Sequence, residues 1–532
     1  MLINNTGLDG LKFDASTVLT PMGELTLIGS VGTDLILPEN VSDCEKILKT
    51  ECQVKIEEYH SANGIITLGG TVHFNVLLLG EDGSIASVKS KEAFELKDVL
   101  DGADESTTII IGESSCEPSC RLVNPRKINL SATPSIRVFA ISEKSVIPSV
   151  KGAESIDDEI SLKRHKENVS CFLPYSFYER GIPVSHDVVL DGNYPPMSEI
   201  LFSGIKIIPT ETKVQGSNLT VKSTALFSCI YKSEERNVFS IEKPFVLEKT
   251  VDADNADAYE WFVSGAADDL SAEVAIDNYG EAKLIELDFT YDLNMIGLKN
   301  ITVDVVTDAY STTHECKTTE VSSKCCIYKR TYPSSLSINA SIERDAISSE
   351  NVRAVMMGSV DIKDISSIYS IEKKRLITDA TAVISAVCEN NITAESDPRY
   401  SSVTFEYPFK CELDIGEINE SVKYTVLISV TDVRFRCDQS KIYCDFENAI
   451  RAVTTSTAPC SYVTEIVLDK SEPILAPCSP LTLCYPAKDE TLWDIAKHYK
   501  ISSEEIILEN NMSSEDITGK RVLLIPSFKK SS

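Results

Sequence analysis

The sequence predicts a mainly β protein with three tandem β-rich repeat domains, sandwich-like or barrel-like, followed by a small β-α-α-β module. Two observations support this fold class. A long internal repeat with alternating apolar residues fills most of the chain, and helical periodicity is clearest near the carboxyl end. The length of 532 residues corresponds to roughly three to five domains, so a single domain is not expected.

The composition is that of a folded, soluble protein. Hydrophobic residues make up 42% and charged residues 25% of the chain, close to average globular usage, which argues against a disordered or membrane protein. The net charge of −30 repels phosphate backbones and anionic lipid surfaces, so we expect no nucleic-acid partner. No stretch approaches the roughly 18 to 20 apolar residues of a membrane span, so we expect no transmembrane insertion. The amino terminus lacks a basic export segment, which predicts a cytoplasmic location.

The internal repeat is about 155 residues long, the size of one domain. Shifts of 153 and then 157 residues superimpose the same alternating apolar run three times. The first matched positions are Ile66, Leu219 and Leu376. The Pro244-Phe245 pair is matched with Pro408-Phe409, and Phe94 occupies a comparable place in the first copy.

The repeat predicts where the domains and their connectors lie. Alternation with β-branched residues is typical of half-buried strands, for example at residues 283–289 and 424–430. Short helices are expected at residues 42–49 and 196–201. The three β domains are assigned to residues 1–150, 168–312 and 328–470, with connectors at residues 151–168 and 312–329.

The carboxyl end carries the start signals of two short helices. Thr491 and Ser502 are each followed three residues later by an acidic residue, Asp494 and Glu505, as in a capping box. An apolar run at residues 522–525 predicts a closing strand. The module therefore consists of two helices between two strands, and we assign it to residues 482–528.

This module resembles a LysM domain. The matching positions are Thr491-Leu492-Trp493, Ile495-Ala496, Asn510-Asn511, Gly519 and Leu524-Ile525-Pro526. The resemblance implies binding of N-acetylglucosamine polymers such as peptidoglycan in a shallow groove between the loop before the first helix and the loop after the second. The implied groove residues are Lys488, Asp489, Glu490, Thr491, Asn510, Asn511 and Met512.

Two positions depart from the LysM pattern. The usual Gly-Asp-Thr before the first helix is Asp489-Glu490-Thr491, and the common glycine after that helix is Lys500. Both changes alter loop shape and charge, so binding of a protein by the same fold is an alternative to binding of a glycan. Trp493 is expected in the core, with a sugar-stacking platform as the alternative.

Three diverged β repeats followed by a LysM module, in an acidic chain, resemble the SPOCS-domain spore-coat proteins of endospore formers. The resemblance implies a non-enzymatic morphogenetic adaptor for spore-coat assembly, in the mother-cell cytoplasm at the forespore surface and in the spore coat. The implied partners are the coat morphogenetic ATPase and other coat proteins, with residues 481–532 as the principal docking surface. The alternative is a peptidoglycan-binding tether of the wall or cortex.

No catalytic constellation stands out in the sequence. Phosphate-binding, zinc-protease and serine-hydrolase motifs are missing, and six histidines supply few general bases or zinc ligands. Most of the 16 cysteines are expected to be reduced and buried; Cys116 with Cys120 and Cys325 with Cys326 are candidates for oxidation or metal binding. A late group could support cross-linking: Cys437, Cys444, Cys460, Cys478 and Cys484. We expect no enzyme, no cofactor and no metal site.

Overall fold

A computed structural model describes residues 17–235, 237–343, 352–392, 399–418, 422–438, 441–474 and 481–526. Strands form most of these ranges, and the helices within them are short. The prediction of a mainly β protein that ends in a small helical module is confirmed. None of the described helices is long and apolar enough to cross a bilayer.

The first strand group forms two antiparallel sheets. Its strands are β1 (Thr17–Ile28), β2 (Val31–Ile36), β3 (Cys44–Ala62), β4 (Ile65–Gly80), β5 (Ile85–Val99), β6 (Thr107–Asn124) and β7 (Lys127–Ser145). Strands β3, β4 and β5 make a meander. In the other sheet, β7 lies between β6 on one side and β1 with β2 on the other.

A short strand, β8 (Ser149–Lys151), and a short helix, α1 (Ile156–Ser161), precede the second strand group. The strands of this group are β9 (Leu162–Val189), β10 (Met197–Gln215), β11 (Asn218–Ser233), β12 (Val238–Asp252), β13 (Glu260–Ala275) and β14 (Leu284–Ser311). Strands β10, β11 and β12 form the meander, and β14 lies between β9 and β13.

The third strand group has the same connections. Its strands are β15 (His314–Glu343), β16 (Val352–Ser370), β17 (Arg375–Asn390), β18 (Tyr400–Asp414), β19 (Val422–Cys437) and β20 (Lys441–Pro473). Strands β16, β17 and β18 form a meander, and β20 lies between β15 and β19. In each group, therefore, the last strand pairs with both the first strand and the last but one, while a three-stranded meander forms a separate sheet; in the first group β2 also pairs with the last strand.

Each group buries apolar residues between its two sheets. The central meander strands β4, β11 and β17 are each 16 residues long, and β11 and β17 alternate buried and half-buried positions in the same pattern. The second residue of each strand is fully buried: Ile66, Leu219 and Leu376. Alternation places these side chains on the inner face of the meander.

The three meanders meet in one further apolar cluster. Each contributes the residue at a bulge in its first strand: Leu48, Leu201 and Met356. Each also contributes a central-strand residue that is at most 1% exposed: Leu77, Ile230 and Val387. The three strand groups are thus packed against one another around a shared centre.

Polar contacts also join the groups. Asp268 on β13 forms an ion pair with Lys55 on β3 and lies 2.9 Å from the His73 ring nitrogen on β4, and its side chain is only 7% exposed. Strand β8, which follows the first group, pairs in parallel with β20 of the third. Such buried or backbone contacts fix the relative position of neighbouring groups.

The structure corrects the two helices predicted at residues 42–49 and 196–201, which lie largely in strands β3 and β10. The register of both strands shifts in these segments, between Ile47 and Lys49 in β3 and between Ile200 and Phe202 in β10. A bulge adds one residue and interrupts the alternation of buried positions. The resulting pairs of adjacent apolar residues mimic helical spacing.

Both predicted connectors are shorter than expected. Strand β9 begins at Leu162, inside the connector predicted at residues 151–168, and β15 begins at His314, inside that predicted at 312–329. Both strands lie at the edge of their sheets. Edge strands tolerate many charged and polar side chains, which gave these segments the composition of a linker.

The cross-strand register corrects one detail of the repeat alignment. Residues Phe94, Leu247 and Phe409 pair with equivalent central-strand positions, which are Gly70, Ser223 and Ala380. Phe409 therefore corresponds to Leu247, and the predicted match of Pro244-Phe245 with Pro408-Phe409 is wrong by two residues. A slip of two keeps the same face of a strand, so the apolar pattern alone did not reveal it.

The chain closes with the predicted β-α-α-β module. Its elements are β21 (Leu481–Cys484), α2 (Leu492–Tyr499), α3 (Ser503–Glu509) and β22 (Leu523–Pro526). Strands β21 and β22 pair antiparallel, with Cys484 opposite Leu523. The loop after β21 and the loop before β22 therefore leave the same end of this ribbon.

Candidate functional site

The predicted groove lies around the start of α2 and the end of α3. Helix α2 begins with a capping box: the Thr491 hydroxyl accepts the Asp494 N–H at 3.2 Å, and the Asp494 carboxylate accepts the Thr491 N–H at 2.9 Å. The Thr491 hydroxyl also donates to this carboxylate, and this hydrogen bond is the main reason that the pKa of Asp494 is lowered. The predicted cap at Thr491 is present.

Three of the predicted groove residues hold the loops in place. The Glu490 carboxylate accepts the Ala487 N–H at 2.9 Å, and Thr491 caps α2. The Asn510 side chain donates to the carbonyl oxygens of Ile506 and Leu524 and accepts the Leu524 N–H, at 2.7 to 2.8 Å. Asn510 thereby connects the end of α3 to β22. Both hydrogens of its side-chain amide are donated and its oxygen accepts one N–H, so the amide is engaged within the module.

Three of the four remaining groove residues present their side chains to solvent. Lys488, Asp489 and Asn511 are exposed, and their side chains make no hydrogen bond or ion pair with any residue that the structure describes. Asn511 has a φ of +50°, a backbone region that asparagine tolerates better than most residues. Met512 is half-buried against the apolar core of the module. Three exposed polar side chains on two fixed loops are available to a ligand.

Comparison with known families identifies this module. Residues 487–526 match the LysM domain family. This module is a LysM domain. Its identity supports a role in binding peptidoglycan or a related carbohydrate, whereas the match covers none of the preceding strand groups. No curated protein matches the chain, and no solved structure matches it.

The LysM module packs against the second strand group through helix α2. Tyr310 on β14 is 1% exposed and belongs to the same apolar cluster as Leu492 and Ile495 of the module. Its hydroxyl donates to the carbonyl oxygen of Ile501 at 2.6 Å. Burial raises the pKa of Tyr310, so the phenol keeps the proton that this hydrogen bond requires.

Trp493 lies at the centre of this contact. Its ring centroid is 4.9 Å from that of Tyr310, in an edge-on arrangement, and 4.9 Å from that of His165 on β9. The indole N–H donates to the carboxylate of Asp308 at 2.8 Å. Trp493 therefore joins the module to the β14 sheet, and its indole nitrogen is already engaged.

Asp308 accepts a second donor from the module. The Lys497 ammonium lies 2.8 Å and 2.7 Å from the two carboxylate oxygens of Asp308, whose side chain is 22% exposed. A second ion pair, at 3.1 Å, joins Lys500 to Glu315 on β15. Charge-assisted hydrogen bonds at a partly buried interface are stronger than exposed ion pairs, so Asp308 is the main polar anchor.

Lys500 explains one departure from the LysM pattern. It ends α2 with a φ of +55°, the left-handed conformation that favours glycine. A non-glycine residue there costs roughly 1 kcal/mol. The ammonium of Lys500 reaches Glu315 from this position, which a glycine could not do. The substitution thus exchanges a relaxed helix end for a contact with β15.

The sequence did not predict the contact between the module and the β14 sheet. Asp308 and Trp493 are 185 residues apart, and Asp308 is one of several acidic residues in an alternating strand. The unusual Lys500 indicated only that the module contacts another part of the chain, because a lysine at a position that favours glycine requires a compensating interaction.

The candidate cysteines that the structure describes are not part of a metal-binding group. Among the described residues, no group of three or more His, Cys, Asp or Glu side chains could hold a metal ion. Cys116 and Cys120 are half-buried and Cys325 is buried, while the side chain of Cys326 lies outside the description. In the late group, Cys444, Cys460 and Cys484 are buried and Cys437 is half-buried; Cys478 lies outside the described residues.

Proposed function

We propose that this chain is a non-enzymatic adaptor whose LysM domain binds N-acetylglucosamine polymers, with peptidoglycan as the ligand. The observation that carries the proposal is the LysM match over residues 487–526. The exposed side chains of Lys488, Asp489 and Asn511 supply hydrogen-bonding groups for the hydroxyl and acetamido groups of a glycan.

The loops that carry these side chains are held by contacts within the module. Glu490 and Thr491 fix the first loop, and Asn510 fixes the beginning of the second. A groove with fixed loops loses little conformational entropy when it binds, which favours affinity for a small sugar unit. Packing of α2 against the β14 sheet holds the module on the chain and uses side chains outside the predicted groove.

Sedimentation with insoluble peptidoglycan tests this proposal on the full-length protein. We expect the wild type to pellet with the polymer, and Asp489→Ala with Asn511→Ala to lower the affinity about tenfold, since loss of one or two ligand hydrogen bonds corresponds to about 1.4 kcal/mol. Lys520→Ala is a matched control, because Lys520 is exposed in the same module outside the predicted groove. Equal pelleting of all variants, or none by the wild type, would contradict glycan binding at this groove.

We propose, as a second candidate, a spore-coat assembly adaptor that docks on the coat morphogenetic ATPase and on other coat proteins. The supporting observation is the strand order that recurs in three successive groups ahead of the LysM module. It favours three tandem β domains, assigned to residues 1–150, 168–312 and 328–470, as in the SPOCS-domain proteins that the chain resembles. The location would then be the mother-cell cytoplasm at the forespore surface and the spore coat.

The loop before α2 favours a protein ligand in this second candidate. Asp489 and Glu490 place two carboxylates where LysM domains usually have one, which suits a basic protein surface better than a neutral glycan. Capture of the ATPase by the full-length protein, with and without added peptidoglycan, separates the two candidates. Removal of residues 481–532 should abolish capture; unchanged capture and unchanged localisation of the shortened chain would exclude the module as the docking surface.

A further inference from the structure

Two cysteines meet between the two sheets of the first strand group. Cys52 lies on β3 in the meander, and Cys116 lies on β6 in the other sheet, 64 residues further along the chain. The Cys52 thiol donates to the carbonyl oxygen of Cys116 at 3.4 Å, and both side chains pack against the core of the first strand group. Both cysteines are reduced and half-buried.

The contact makes the two thiols chemically different. Interaction with the neighbouring Cys52 lowers the pKa of Cys116 and outweighs the opposing effects of burial and of Glu117. The same interaction, together with burial, raises the pKa of Cys52. A thiolate is the reactive form of cysteine, so Cys116 is the better nucleophile of the pair and Cys52 the thiol beside it.

Three other described cysteines lack this combination of contact and access. Cys229 is fully buried, and burial raises its pKa to about 12. Cys325 and Cys460 belong to the same buried cluster, but they are only 0% and 3% exposed. Reactivity towards a dissolved oxidant requires both thiolate character and solvent access. Cys52 and Cys116 are half-buried rather than fully buried, and the pKa of Cys116 is lowered, so this pair meets both requirements.

We propose that Cys52 and Cys116 form a reversible disulfide that links the two sheets of the first strand group in response to a peroxide. The Cys116 thiolate attacks one peroxide oxygen, the O–O bond breaks, and Cys116 becomes a sulfenic acid while the other oxygen leaves as water after taking up a proton. The Cys52 sulfur then attacks the sulfenic sulfur, the S–O bond breaks, and a second water leaves. Two thiols are oxidised to one disulfide, and hydrogen peroxide is reduced to two waters.

The bond would have a mechanical consequence. It closes a loop of 64 residues that contains β4 and β5, and a loop closed in the unfolded chain raises the stability of the native state. It would also lock together the two sheets that enclose the core of the first strand group. This chemistry is independent of the LysM module and of its ligand.

Thiol mapping by mass spectrometry tests the proposal on the folded, full-length protein. The protein is treated with hydrogen peroxide, alkylated, digested and examined for linked peptides. We expect a linked pair of the Cys52 and Cys116 peptides that dithiothreitol separates, formed roughly tenfold or more faster than any modification of Cys229. The oxidised protein should also unfold at a higher temperature than the reduced protein.

Two variants assign the roles of the two thiols. In Cys52→Ser, we expect the Cys116 sulfenic acid to persist and to be trapped by dimedone; in Cys116→Ser, we expect Cys52 to remain an alkylatable thiol. The wild-type experiment decides the matter even if a variant does not fold. Recovery of both wild-type thiols in alkylated form, after peroxide has oxidised other cysteines, would overturn the proposal.

Discussion

Replacement of Asp308 by asparagine should weaken the attachment of the LysM module without unfolding it. Asp308→Asn keeps the shape of the side chain but removes the charge that Lys497 and the Trp493 indole share. An acceptor oxygen remains for the indole N–H, as a neutral hydrogen bond of about half the strength, which costs about 1 kcal/mol. Lys497 is 44% exposed, so solvent screening limits the loss of its ion pair to about 0.5–1 kcal/mol.

The total loss is therefore about 1.5–2 kcal/mol of attachment free energy, or roughly a 10- to 30-fold larger detached population. Fluorescence of Trp493 measures this directly, because the chain has two tryptophans and Trp261→Phe leaves one. Detachment exposes the half-buried indole, so acrylamide should quench it more strongly and its emission should shift to longer wavelength. Asp304→Asn is the matched control: Asp304 is exposed on the same strand, and its replacement makes the same charge change. Equal quenching in the two variants would refute the anchoring role of Asp308.

Three further predictions concern the module itself. The pKa of Asp494 is lowered in the folded state, so its contribution to stability is present above the ordinary pKa near 3.8 and is lost as pH falls through the lower folded value. Thr491→Val should reduce this acid sensitivity and lower the free energy of unfolding by about 1 kcal/mol at neutral pH, as urea denaturation at several pH values would show. Asn510→Ala removes two hydrogen bonds to Leu524 of β22 and one to Ile506 of α3, so it should cost about 2–3 kcal/mol and increase hydrogen exchange in β22, whereas unchanged exchange would contradict the role assigned to this amide. Lys500→Gly relieves the strain of the left-handed backbone but removes the ion pair with Glu315, so the free energy of unfolding, measured by thermal denaturation, should change by less than about 1 kcal/mol. Lys500→Ala also removes the ion pair but keeps the backbone strain, so it should be the less stable of the two variants.

Local patterns in the sequence predicted local structure well. Alternating apolar residues identified the strands, because a strand with one buried face repeats every two residues. The capping residue Thr491 and its partner Asp494 located the start of α2, since both halves of a capping box lie within four residues of each other. The β-α-α-β order of the last module was predicted for the same reason.

Features that depend on distant residues were not predicted. The bulges near Leu48 and Leu201 arise from pairing with the next strand, and they made two strand segments resemble helices. The contact of Trp493 with Asp308 joins residues that no short pattern connects. The exposed groove residues were carried over from a family resemblance, and their ligand remains a prediction that the sedimentation experiment tests.

The cluster shared by the three meanders has a consequence for how this chain can be dissected. Leu77, Ile230 and Val387 are buried in one shared cluster. Removal of any single strand group would therefore leave the other two with an uncovered apolar face. Shortened chains that lack one group should therefore aggregate or lose all structure together. The protein should melt in one cooperative transition across the strand groups, and loss of function in such a truncation would report a collapsed scaffold rather than a missing binding site.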